Sequence, residues 1–129
     1  RTDLAEDEIL TEIRVPTPAE GSGAGYQKLG VRSAMEIAMV SAAASLTKTN
    51  GACSDVRVAL GAVAPAPFLV KSAAAAVEGK APSAEVFARA GEAAAAESQP
   101  ISDIRASAEY RKKMVAVLTR RALARAAGL

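Results

Sequence analysis

Histidine is absent from the 129-residue chain, and that one absence removes several chemistries. A Ser-His-Asp triad, a Cys-His dyad and a histidine-ligated zinc site all need an imidazole. Cys53 is the only cysteine, so no intrachain disulfide can form and no iron–sulfur cluster can be held by the chain's own thiolates. Tryptophan is also absent, and aromatic residues make up only 3%. A core here must be built from Ala, Val, Leu, Ile and Met, with few large anchors, and a partner surface could make up the shortfall. No apolar run reaches the ~18 residues of a membrane span, and no signal-peptide pattern opens the chain. A net charge of only +2 makes no electrostatic case for nucleic acid. The expectations are a reducing, cytoplasmic setting and neither nucleic acid nor membrane as partner. The first residue is Arg1, not methionine, so the chain reads as an excised domain or a processed product.

What is present is enough for one core: half of the residues are hydrophobic, in a length usual for one domain. DEILTEIRVPTP, residues 7–18, reads as a strand. Ile9, Ile13 and Val15 share one side of a period-2 pattern that Thr11 interrupts. Leu10, Glu12 and Arg14 fall on the other side, and Pro16 and Pro18 end the run. AEGSGAG follows, with glycines one position short of the dinucleotide fingerprint and outside any βαβ unit. It reads as a mobile loop. The stretch from Tyr26 to Leu46, YQKLGVRSAMEIAMVSAAASL, fits helical and strand templates equally. Asn50-Gly51 behind it is a strong turn signal, and Val56, Val58 and Leu60 alternate beyond. The pair predicts a hairpin joining one long strand to DVRVALGAV.

PAPF, residues 65–68, ends the sheet pattern, and helices follow. Ser72 is the expected N-cap of a first helix, with Gly79 just past its end; Ser83 and Ser107 are the expected caps of two longer ones. Each longer helix opens Ser-Ala-Glu, which puts a carboxylate at the positive end of the dipole. Tyr110, Met114, Val117 and Leu118 form the expected apolar stripe of the last helix. The predicted class is α+β: one domain over residues 1–129, an antiparallel sheet of three to four strands over about 7–70, and three helices on one face over about 72–127.

Two clusters could carry chemistry. Lys28 and Arg32, four apart on an extended segment, would lie on one side roughly 13 Å from each other. They could flank an anion or face a neighbouring domain; two solvated cations is the plainer reading of the spacing. In PISDIRASAEYR, Asp103, Arg105, Glu109 and Arg111 crowd a helix start. They are either a charge-assisted network fixing the loop, with Tyr110 adding an apolar body, or ordinary capping with exposed charges. The cations of the last helix lack an aromatic platform and read as a solvated face.

Two blocks resemble a known family. YQKLGVRSAMEIAMVSAA is similar to the Y-x-K-x-x-x-R-x-A-x-D-I-A segment in the C-terminal domain of the flavin-binding subunits of molybdenum hydroxylases. PISDIRASAEYRKKMVAVLTRRAL resembles their closing P-x-S-D-x-R-G-S-x-E-Y-R motif, and RVALGAVAPAP resembles the strand between the blocks. Glu36 stands where Asp is usual, Ala106 for Gly, Leu69 for Arg and Ala74 for Glu. The resemblance implies an antiparallel sheet covered by three helices. It also implies FAD, held mainly on N-terminal domains and bordered here by Lys28 and Arg32. Asp103, Arg105, Ser107, Tyr110 and Arg111 would form an interdomain motif. The implied partners are those FAD-binding domains and subunits carrying a molybdenum cofactor and 2Fe–2S clusters, in an oxidoreductase of the carbon monoxide and xanthine dehydrogenase type. No catalytic residue and no metal ligand is expected in this chain itself. The alternative reading is a free-standing interaction module of the same fold without flavin.

Overall fold

The computed structural model of the protein describes residues 3–129. Asn50 and Gly51 both take positive φ, 52° and 81°, the backbone that a two-residue hairpin turn requires. They join two ten-residue strands. In chain order the sheet comprises β1 (Ser22–Leu29), β2 (Val40–Thr49), β3 (Ala52–Gly61) and the short β4 (Phe68–Leu69). All neighbours are antiparallel, in the order β1-β2-β3-β4. The helices follow: α1 (Lys71–Val77), α2 (Ala84–Glu97) and α3 (Ala108–Ala126). The expected α+β class and the three helices are present.

The strands differ from the reading of the sequence in two places. Residues 7–18 form no strand in this sheet, and Ile9, Ile13 and Val15 are 85%, 78% and 83% exposed. The sheet begins instead inside the glycine stretch that reads as a loop. Gly23 and Gly25 lie on the inner face of β1, where a methyl group would overlap the carbonyl oxygens of Ala126 and Ala122. These glycines admit the backbone of α3 against the strand, a demand set by a helix a hundred residues away. The long strand expected from Tyr26 to Leu46 is two strands, paired Leu29 to Val40 across a loop at residues 30–39. Met39 N–H donates to the Leu29 carbonyl at 2.9 Å and closes that loop.

β3 carries a bulge, with two residues facing one on β2 between the Ser45–Arg57 and Thr47–Ser54 pairs. Asp55 sits there at φ 49°. The freed N–H groups of Asp55 and Val56 donate to the Glu78 carboxylate at 3.1 and 2.9 Å. The bulge resets the alternation, so Cys53 and Val56, three apart, both face inward.

The inner face of the sheet, with Val40, Ala42, Ala44, Leu46, Val58 and Leu60, is buried beneath the helices. Helices α1 and α3 pack on the strands, and α2 packs on both of them. Phe87 is the one fully buried aromatic in a core of Ala, Val and Leu. Small residues make close helix approach possible: a side chain at Gly91 of α2 would meet the Ala116 carbonyl of α3.

Helix caps follow the sequence at two ends of three. The Ser83 and Ser107 hydroxyls accept from Val86 and Tyr110 N–H, each at 3.2 Å. Ser72 is no cap, because α1 starts one residue before it; its N–H donates to the carboxylate of Glu97 on α2, at 3.1 Å. Gly79 lies just past α1 at φ 72°, as expected. The buried stripe of α3 is Arg111, Val115, Leu118, Thr119, Ala122, Leu123 and Ala126, with Tyr110 exposed. The expected stripe is rotated because α3 lies against the glycines of β1 on one side and α2 on the other.

Candidate functional site

Among the described residues no helix covers the outer face of the sheet. Tyr26 and Lys28 point there from β1, opposite Ala43 and Ser41 of β2, with Arg57 and Ala59 of β3 beyond. A groove of about 580 Å³ crosses this face between Tyr26, Ala43, Ser45, Arg57 and Arg125.

Lys28 stands at the end of β1 where the chain leaves the sheet. Its ammonium donates to the Glu36 carbonyl at 3.1 Å, and the side chain remains exposed. The Glu36 carboxylate accepts the backbone N–H groups of Val31 and Arg32, the latter at 2.9 Å. The Arg32 guanidinium donates to the Met35 carbonyl. A side chain at Gly30 would displace the Glu36 carboxylate from this position. Lys28 and Arg32 therefore do not lie along one extended segment. They are tied into one loop by Glu36, and Met35 at its tip has φ 48° and is 92% exposed.

The second cluster lies against the same loop. Asp103 Oδ1 accepts from Arg105 N–H at 2.8 Å and Ala106 N–H at 3.2 Å, and Arg105 Nη1 reaches Oδ2 at 3.1 Å. Arg111, 4% exposed on α3, places Nη2 2.7 Å from Asp103 Oδ1 and donates from Nη1 to the Met39 carbonyl at 3.0 Å. Its Nε has no hydrogen-bond partner among the described residues, and the Nη2 contact is an ion pair, not a well-directed hydrogen bond. Asp103 is held down at about 2, first by the Arg105 N–H and then by the Arg111 guanidinium, against the opposing effect of desolvation. Arg111 thus links the loop before α3 to the start of β2. Ser107 caps α3, and Tyr110, half-exposed in its first turn, is outside the network.

The two clusters meet. A groove of about 530 Å³ runs between Val31, Arg32, Met35, Ile37, Ile104 and Arg105. Ile104 is 99% exposed, an apolar rim set among cations. Among the described residues no three His, Cys, Asp or Glu side chains converge as metal ligands, and no helix is long and apolar enough to cross a membrane. Cys53 is buried; burial first, and then the nearby Glu78 carboxylate, push its thiol up, away from the reactive thiolate. Glu36 stands at the Asp position of the resembling motif, but its part in organising the loop through backbone N–H groups is not legible in the spacing.

The CO dehydrogenase flavoprotein C-terminal domain family matches residues 25–126, most of the chain. The chain belongs to this family. A carbon monoxide dehydrogenase medium chain of Afipia carboxidovorans is 38% identical over 125 residues, covering 97% of this chain and 43% of that protein. A xanthine dehydrogenase FAD-binding subunit of Escherichia coli is 28% identical over 127 residues, 98% of this chain and 44% of that protein. The solved carbon monoxide dehydrogenase from Hydrogenophaga pseudoflava, a form lacking the Mo-pyranopterin moiety of the molybdenum cofactor, superposes with a TM-score of 0.88 at 37% identity. That superposition covers 98% of this chain and 44% of that one. The chain of this flavoprotein-domain family member thus spans less than half the length of the relatives it matches.

Proposed function

We propose that this chain is the C-terminal domain of an FAD-binding subunit in a cytoplasmic molybdenum hydroxylase-type oxidoreductase. It closes one side of the flavin cleft and docks to its neighbours while electrons pass from molybdenum and iron–sulfur centres to FAD. The observation that carries this reading is Lys28. It is an exposed cation on the bare face of the sheet, held by the Glu36 carbonyl, in the Y-x-K context of a family named for flavoproteins.

The residues fit a bordering role. Lys28 and Arg32 offer positive charge at an open rim, where the grooves among the described residues are open to solvent. When bound, FAD supplies the electron-accepting chemistry, and a fixed cation beside it stabilises the negative charge of the reduced form. Arg32, with Asp103, Arg105 and Arg111 behind it, holds the rim in shape. Ser107 and Tyr110 present the start of α3 to the neighbouring domain.

Lys28→Ala in the complete subunit tests this. The flavin potential should fall by about 30 mV or more, the two-electron equivalent of roughly 1.4 kcal/mol. The melting temperature should stay put, because Lys28 buries nothing. An unchanged potential removes Lys28 from the reading. The apolar rim of Met35, Ile37 and Ile104 also suits a docking module without flavin. A complete protein purified without FAD would favour that alternative.

A further inference from the structure

Residues 8–15 carry the alternation of a strand but pair with no strand among the described residues. Ile9, Thr11, Ile13 and Val15 occupy one side, all β-branched, and each large apolar among them is exposed. On the other side Glu12 and Arg14 pair at 2.7 Å, beside the exposed Leu10. Pro16 and Pro18, which lack N–H donors, end the run. This is the pattern of a strand with one buried face and one wet face. A bare apolar side on unpaired backbone invites aggregation unless something covers it.

Two further observations say what covers it. The family match begins at residue 25, so the segment lies outside the domain that it precedes. Yet the superposition on the solved carbon monoxide dehydrogenase takes in 98% of this chain, and so includes this segment, against a chain more than twice as long. The remainder of such a chain is the surface available to it. We propose that residues 8–15 form a β-strand added to a sheet of the adjoining FAD-binding portion of the subunit, with Ile9, Ile13 and Val15 in that domain's core. The inference rests on the reading of this chain as part of an FAD-binding subunit. The strand then ties the two parts together by main-chain hydrogen bonds, while Pro16 to Ala19 line a groove together with Ser45, Thr47 and Arg57.

Amide hydrogen exchange on the 129-residue chain and on the complete subunit tests the proposal, with Ile13→Pro and the milder Ile13→Asp made in both. Residues 8–15 should exchange freely in the chain alone and at least about 100-fold more slowly in the complete subunit. Both variants should lower the melting temperature of the complete subunit and leave that of the 129-residue chain unchanged, with Glu12→Thr on the wet side harmless in each. Equal exchange in the two proteins overturns the proposal, and so does a complete subunit indifferent to Ile13→Asp. A dimer of the 129-residue chain that Ile13→Asp dissolves assigns the strand to a second copy and also overturns it. A complete protein that protects residues 8–15 but carries no FAD overturns the flavin reading while leaving the strand in place.

Discussion

Arg111 is the residue on which the rim depends. It is buried, and one of its nitrogens satisfies the Met39 carbonyl while another faces Asp103. Arg111→Met keeps much of the volume but leaves that carbonyl unpaired, which costs about 1–3 kcal/mol. Chemical denaturation should register this loss, with loop 30–39 the first region to gain hydrogen exchange. Asp103 makes the same network pH-dependent. Its folded-state value of about 2 lies below the ordinary 3.8, so the unfolded chain takes up the proton first. The stabilisation is complete above about pH 4 and is lost as pH falls through that value towards 2. The difference in melting temperature between the parent chain and Asp103→Asn should therefore be constant near neutrality and shrink over that interval. A gap that persists at pH 2 would show that the Asp103 charge, held by the Arg105 N–H and the Arg111 guanidinium, is not its source.

Elements are placed by demands of different range. Gly25→Ala sets a methyl group against the Ala122 carbonyl, where backbone must move on one side or the other. Such overpacking costs about 1–3 kcal/mol, and urea denaturation of the variant should show it. That requirement joins residue 25 to residue 122, so the glycine stretch read as a loop when only its neighbours were considered. The Asn50-Gly51 turn and the Ser83 and Ser107 caps were legible, because each is satisfied within a few residues of itself. Ser72 failed as a cap because Glu97, from another helix, does that work. The strand pattern at residues 7–18 misled about its place in the sheet, since periodicity reports a buried side and not the sheet that buries it. At the rim, Lys28, Arg32, Asp103 and Arg111 stood out through motif resemblance. Glu36 stands in the same motif, at its Asp position, but the motif does not say that it organises the loop between them by accepting backbone N–H groups.

At the scale of the molecule, the protein buries one face of its sheet and leaves the other open, beside an apolar and cationic rim. Three of its grooves are open surface features of about 530 to 580 Å³. Tight small-molecule sites bury most of the ligand, and they do so in clefts that enclose it. A dinucleotide as long as FAD laid on the outer face would keep one side in water, held by Lys28, Arg32 and Arg57 at exposed positions where ion pairs contribute little. The 129-residue chain should therefore elute colourless from gel filtration after incubation with excess FAD, folded and melting cooperatively. The same rim should gain protection at residues 28–37 and 101–106 when it is measured within the complete subunit. Retention of stoichiometric flavin by the chain alone would mean that the outer face is a binding site in its own right, and the division of labour between this domain and its neighbour would have to be abandoned.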